Sequence, residues 1–135
     1  MKKNLNQEIQ ILVNRYKQGD YKNVIKKCST LLRENPRNDF LWNLSGLSFQ
    51  QIGNNKDAIT SFQNAINHNQ KNHSAKNNLA ISYKNIYEYP KANKLLKELI
   101  DEYPNYINAY TNLANLKNET YFFDEALVNY NKALN

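Results

Sequence analysis

Residues 39–72 read DFLWNLSGLSFQQIGNNKDAITSFQNAINHNQKN, and the spacing inside this stretch decides the fold. Ala58, Phe62 and Ala65 are four and three residues apart, which places all three on one face of a helix. Upstream, Ser45 and Gly46 belong to an earlier apolar helix, and a small residue there lets two helix backbones approach closely. Gly53-Asn54-Asn55 separates the two as a turn. The same plan recurs on both sides. Gly19 and Gly53 lie 34 residues apart, and Pro36 and Pro104 twice that, so the chain divides into units 5–38, 39–72, 73–106 and a shortened 107–135. Val24, Ala58, Ala92 and Ala126 fall in one column, followed by Cys28, Phe62, Leu96 and Tyr130, then Leu31, Ala65, Leu99 and Ala133. Ile11, Ser45, Leu79 and Leu113 form a column in the first half of each unit, followed by Leu12, Gly46, Ala80 and Ala114. Each unit reads as helix, turn, helix. Pro36 and Pro104 close second helices, and Pro90 opens one, where its missing N–H costs nothing.

Composition agrees. The 135 residues are 41% hydrophobic and 22% charged, with only three Gly and three Pro, too few for a small all-β or disordered chain. The expected class is all-α, with residues 1–135 as one domain. A single cysteine, Cys28, excludes an internal disulfide and a thiolate cluster and fits a reducing, cytoplasmic setting. Lys2-Lys3 is followed by Asn4-Leu5-Asn6-Gln7-Glu8 rather than an apolar run, so neither an export signal nor membrane insertion is expected.

These columns resemble the tetratricopeptide repeat family. The second unit carries the resemblance through Trp42, Gly46, Phe49, Ala58, Phe62 and Ala65, the third through Leu79, Ala80, Tyr83, Ala92 and Pro104, and the fourth through Tyr110, Leu113, Ala114, Ala126, Tyr130 and Ala133. Ser45, Gln70, Lys117 and Leu12 depart from the pattern. The resemblance implies a right-handed α-solenoid of four helix-turn-helix repeats, acting without catalysis as a scaffold that binds a protein or an extended peptide in its concave groove. The family's groove places fall here on Asn43, Leu44, Leu47, Asn77, Asn78, Ile81, Lys84, Asn108, Asn112 and Asn115 among others. The amide array resembles the asparagine ladder of repeats attached to protein O-glycosyltransferases. Asn78 and Asn112 match its place directly, while Gln10 and Leu44 hold that place in the first two units. The carboxylate clamp of chaperone-binding relatives would need Lys and Asn where Ile9 and Val13 stand, so that clamp is not expected.

Asparagine offers both a donor and an acceptor, so rows of it suit the backbone of an extended peptide. On that reading, replacing Asn78 and Asn112 by Ala should weaken partner binding and leave stability nearly unchanged. Two other readings stay open: the N-terminal substrate-presenting arm of a larger glycosyltransferase, sulfotransferase or hydroxylase, and a self-assembling scaffold. The latter would use the C-terminal edge, where Leu127, Val128 and Leu134 have no following repeat to cover them.

Other chemistry is thin. His68 and His73 supply at most two neutral ligands, so no metal and no cofactor is expected. Cys28 sits in a column of Phe, Leu and Tyr and reads as a buried apolar side chain rather than a nucleophile. Charge is uneven: residues 1–38 hold nine Lys and Arg against three Asp and Glu. Lys22, Lys26 and Arg33 form one stripe on the second helix of the first unit, expected on the convex side. With no interleaved aromatic platform the stripe reads as solvated surface, and nucleic acid is not the expected partner.

Overall fold

The computed structural model describes residues 2–134 and contains seven helices: α1 (Leu5–Lys17), α2 (Tyr21–Glu34), α3 (Asp39–Gln51), α4 (Asn55–His68), α5 (His73–Asn85), α6 (Tyr89–Glu102) and α7 (Ile107–Leu134). Among the described residues there is no strand. Every helix packs on the next in sequence, from α1 through to α7. Three helix pairs with a 34-residue period stack into a solenoid, as the columns require.

The caps follow the period. Asn4, Asn38 and Asn72 stand 34 residues apart, and each side chain accepts the backbone N–H three residues on: Gln7 at 2.9 Å, Leu41 at 2.9 Å and Ala75 at 2.9 Å. Part of the asparagine content is therefore helix-capping chemistry. Trp42 Nε1 donates to the Pro36 carbonyl at 2.9 Å, and the Tyr110 hydroxyl, two periods later, donates to the Pro104 carbonyl at 2.9 Å. These bonds tether the start of one repeat to the end of the one before it.

The core is the column set read from the sequence. Val24, Cys28, Ala58, Phe62, Ala65 and Ala92 are fully buried, and Leu31, Leu96 and Leu99 nearly so. Side-chain sizes across each helix pair compensate. Gly46 faces the Phe62 ring, while the equivalent couples are Leu12 with Cys28 and Ala80 with Leu96. The departure at Leu12 is thus matched by a small partner in the same cluster.

The fourth unit departs from the expected helix-turn-helix. Ile107–Leu134 is one unbroken helix, and the reason lies in the turn residues. The inner turns of the first two pairs place Gly19 and Gly53 at φ 82° and 81°, and the third places Tyr87 at φ 66°. The next position in that column is Tyr121. Asp20, Asn54 and Glu88 precede the second helices, where the fourth unit has Phe122, which cannot cap. Pro90, which begins α6, is replaced by Asp124. With no glycine, polar cap or proline, the helix continues. Ala126, Tyr130 and Ala133 therefore remain exposed instead of packing on their own repeat, and the expected end of the unit at residue 135 lies outside the described residues.

Candidate functional site

Successive first helices touch one another, α1 on α3, α3 on α5 and α5 on α7, whereas among the described residues α2, α4 and α6 do not touch each other. A stack that closes up along its first helices and splays along its second curves with the first helices inside. The concave wall is therefore built from α1, α3, α5 and the first half of α7.

Val13, Leu47 and Ile81 recur at the repeat period along this wall, each half-buried, and Asn115 holds the next place, exposed. They make an apolar spine. Gln10, Leu44, Asn78 and Asn112 flank it one turn away on one side, and Tyr16, Gln50, Lys84 and Asn118 on the other. The spine is legible in the sequence as one more 34-residue column, although the asparagines draw attention first.

The amides are organised across repeats. Asn78 Nδ2 donates to Asn43 Oδ1 at 3.1 Å, and one repeat later Asn112 Nδ2 donates to Asn77 Oδ1 at 2.8 Å. Asn43 and Asn77 are only 8% and 5% exposed, and Leu44 5%, so these three offer the groove almost no surface. Their role is to join repeats. Between the first two units the corresponding residues are Ile9 and Leu44, and the link there is apolar, both packing in the N-terminal core. Asn78 and Asn112 remain half-buried, each with a second amide hydrogen and a carbonyl oxygen beyond the ladder bond. Gln50 adds a further tie, its Nε2 donating to the Asn78 carbonyl at 3.1 Å and to Ser82 Oγ at 2.8 Å. Asn108 and Asn115 are exposed on α7.

Electrostatically the groove is quiet. Lys84 Nζ lies 3.2 Å from Glu119 Oε1, so the one cation at mid-groove is neutralised within the wall. Burial pushes the Tyr16 phenol above its ordinary value, against a hydrogen bond with Gln51 that holds it down, so it stays an uncharged donor at neutral pH.

The remaining candidates lie elsewhere. Lys22, Lys26 and Arg33 are exposed on α2, away from the groove wall, and make no ion pair among the described residues. Arg33 edges a cleft of about 390 Å³ with Ile25, Leu32, Trp42 and Phe49. Cys28 is fully buried, and burial pushes its thiol up to about 12, which leaves no thiolate for nucleophilic work at neutral pH. His73 lies between the rings of Tyr103 and Tyr106, at 4.8 and 4.7 Å. Among the described residues no helix is long and apolar enough to cross a membrane.

Comparison with known proteins agrees with this geometry. Residues 78–106 match the tetratricopeptide repeat family. No curated protein matches the chain. Among solved structures, the second such domain of human RPAP3, in complex with the HSP70 peptide SGPTIEEVD, superposes with a TM-score of 0.77 at 16% identity, over 82% of this chain and 92% of that one. The Yersinia enterocolitica type III secretion chaperone SycD, in complex with a peptide of the translocator YopD, gives 0.78 at 18% identity, over 86% and 94%. MamA gives 0.73 at 21% identity, covering 98% of this chain and 74% of that one. Residues 78–106 thus carry the tetratricopeptide repeat itself, and the chain as a whole folds as tetratricopeptide repeat domains do.

Proposed function

We propose that this protein is a non-enzymatic interaction module, working in a reducing, cytoplasmic setting, whose concave groove holds an extended, uncharged peptide segment of another protein. The observation that carries this is the pairing of an apolar spine, Val13, Leu47 and Ile81, with amides on its flank, Gln10, Asn78 and Asn112. An extended peptide presents side chains alternately and a backbone N–H and C=O at every residue. Apolar side chains would seat on the spine while the amides pair with the backbone. That RPAP3 and SycD are each solved with a peptide supports this use of the fold.

The chemistry of the wall narrows the ligand. The RPAP3 peptide ends in two glutamates, a valine and an aspartate, whereas Lys84 here is already paired with Glu119. A multiply acidic peptide would find little compensation for its lost hydration. The partner segment is therefore neutral, with small or branched apolar residues. Displaying random peptides and selecting on the immobilised protein tests this. Enrichment of uncharged, alternating apolar sequences, lost on Ile81→Thr, is the expected outcome. Enrichment of acidic or basic peptides indifferent to Ile81→Thr would refute it.

A further inference from the structure

The convex side holds a hollow that the repeat pattern does not call for. Among the described residues α2 and α4 do not touch, and the gap between them, floored by α3, is the cleft of about 390 Å³ that Arg33 edges. Ile25, Leu32, Trp42 and Phe49 are its apolar walls. The Trp42 N–H is already given to the Pro36 carbonyl, so the indole adds surface rather than a donor. Ser29 stands at the rim, and Ser45 and Ser61 lie deeper. One period later, between α4 and α6, Leu79 holds the place of Ser45 and Leu95 that of Ser61. Both leucines pack there with Ile59, Ile66 and Tyr83, the counterparts of Ile25, Leu32 and Phe49. Three walls are kept from one gap to the next, and two side chains that fill the second are missing from the first. A packed interface closes only in part over such a loss.

The polar atoms left in the hollow are unlike their equivalents elsewhere. Ser48 Oγ donates to the Leu44 carbonyl at 2.9 Å, and Ser82 Oγ accepts from Gln50 at 2.8 Å. Ser45 and Ser61 are as deeply placed, 5% and 4% exposed, yet among the described residues their hydroxyls make no hydrogen bond to the protein. No buried side-chain oxygen there is both sealed off and unpartnered, so these two face the space of the cleft. On α2, Ser29 lies one turn from Ile25 and one from Arg33, and on α3, Ser45 lies one turn from Phe49 and one from Trp42. The hydroxyls therefore form a belt across the middle, with hydrocarbon on either side. Arg33, exposed and in no ion pair among the described residues, reaches over the belt from one turn away, with Lys22 and Lys26 on the same face of α2. Asp57, one turn before Ser61, is engaged by Asn54 Nδ2 at 2.7 Å.

We propose that this cleft binds a small monocarboxylate whose apolar body matches the two missing leucine side chains, about eight carbons in all. The lining selects that chemistry. Hydrocarbon suits Ile25, Trp42 and Phe49, and a carboxylate accepts from the free hydroxyls and from the Arg33 guanidinium, whose charge offsets its lost hydration. A cleft of this volume, with a floor that is nearly sealed, is of the size of small-molecule sites, roughly 300–1,000 Å³.

Trp42 is the only tryptophan of the chain, so its fluorescence reports on the cleft directly. Titration of the 135-residue protein with octanoate should shift that emission saturably, with a Kd on the order of 0.1–1 mM for a ligand of about ten non-hydrogen atoms. The uncharged 1-octanol should bind about tenfold more weakly, and Arg33→Gln should bring octanoate to the level of octanol while leaving octanol unchanged. Ser61→Leu, which fills the cleft as Leu95 fills the next, should abolish both responses with helical circular dichroism intact. Arg33 is on the exposed rim, so its variant decides the matter even if Ser61→Leu fails to fold. No saturable response to octanoate, equal affinity for octanoate and octanol, or octanoate binding indifferent to Arg33→Gln would each overturn the proposal. So would a response to a short peptide of leucine and glutamate with none to octanoate, as docking of a partner protein would give.

Discussion

At Gly46 there is no room for a side chain: a Cβ there would lie 2.5 Å from the Phe62 ring. Gly46→Ala should cost about 1–3 kcal/mol through overpacking, measured by urea denaturation. Adding Phe62→Leu should recover much of the loss, because Ala80 with Leu96 shows that this smaller pair fits the same place. For the ladder asparagines the hydrogen bonds change the expected outcome. Replacing Asn78 and Asn112 by Ala removes the donors to Asn43 Oδ1 and Asn77 Oδ1, and both acceptors are buried. The double variant should lose about 1–3 kcal/mol for each orphaned acceptor, where the sequence alone suggested no change. The position of these residues was legible from the period. Their pairing was not, because the sequence does not show that Asn43 turns inward to meet Asn78. Cys28 gives a pH test. Its folded value, about 12, lies above the ordinary 9.0, so between those values the unfolded chain has lost the proton that the folded one keeps. Stability is therefore unaffected by this group below about pH 9 and falls as pH rises beyond it. Equilibrium unfolding of wild type and Cys28→Ala between pH 7 and 10 should show that extra decline only in wild type.

Among the elements, the turns are where the repeat pattern succeeds and fails. Gly19 and Gly53 announced the left-handed residue of the inner turns, and Tyr87 takes the same conformation without glycine's freedom. Tyr87→Gly should therefore raise stability by about 0.5–1 kcal/mol in a denaturation experiment. The third turn survives its tyrosine because Pro90 starts α6, and α6 is gripped between α5 and α7. Column matching alone assigned Ala126, Tyr130 and Ala133 to a fourth helix pair. It overlooked that Tyr121, Phe122 and Asp124 replace each turn signal at once. Restoring the signals with Tyr121→Gly and Phe122→Asn should fold residues 123–134 back onto the solenoid. Hydrogen exchange would then show protection at Tyr130.

Over the whole molecule, the solenoid sorts its surfaces by side. The basic stripe of Lys22, Lys26 and Arg33, unpaired among the described residues, lies on α2, and the neutral amide and apolar wall on the first helices. A partner held by the groove would bind almost independently of salt, whereas one held by the stripe would weaken steeply as salt rises. The architecture, three pairs on a 34-residue period, could be read from small-residue columns because close helix packing tolerates few alternatives there. The ligand could not, since a groove wall is solvated and many side chains fold equally well on it. The direct measurement is a backbone-amide NMR titration with a peptide selected on the protein. Shifts confined to the groove turns of α1, α3, α5 and the start of α7, centred on Val13, Leu47 and Ile81 and unchanged by added salt, are the predicted result. Shifts centred on Lys22, Lys26 and Arg33 that vanish with salt would contradict the groove as the binding site.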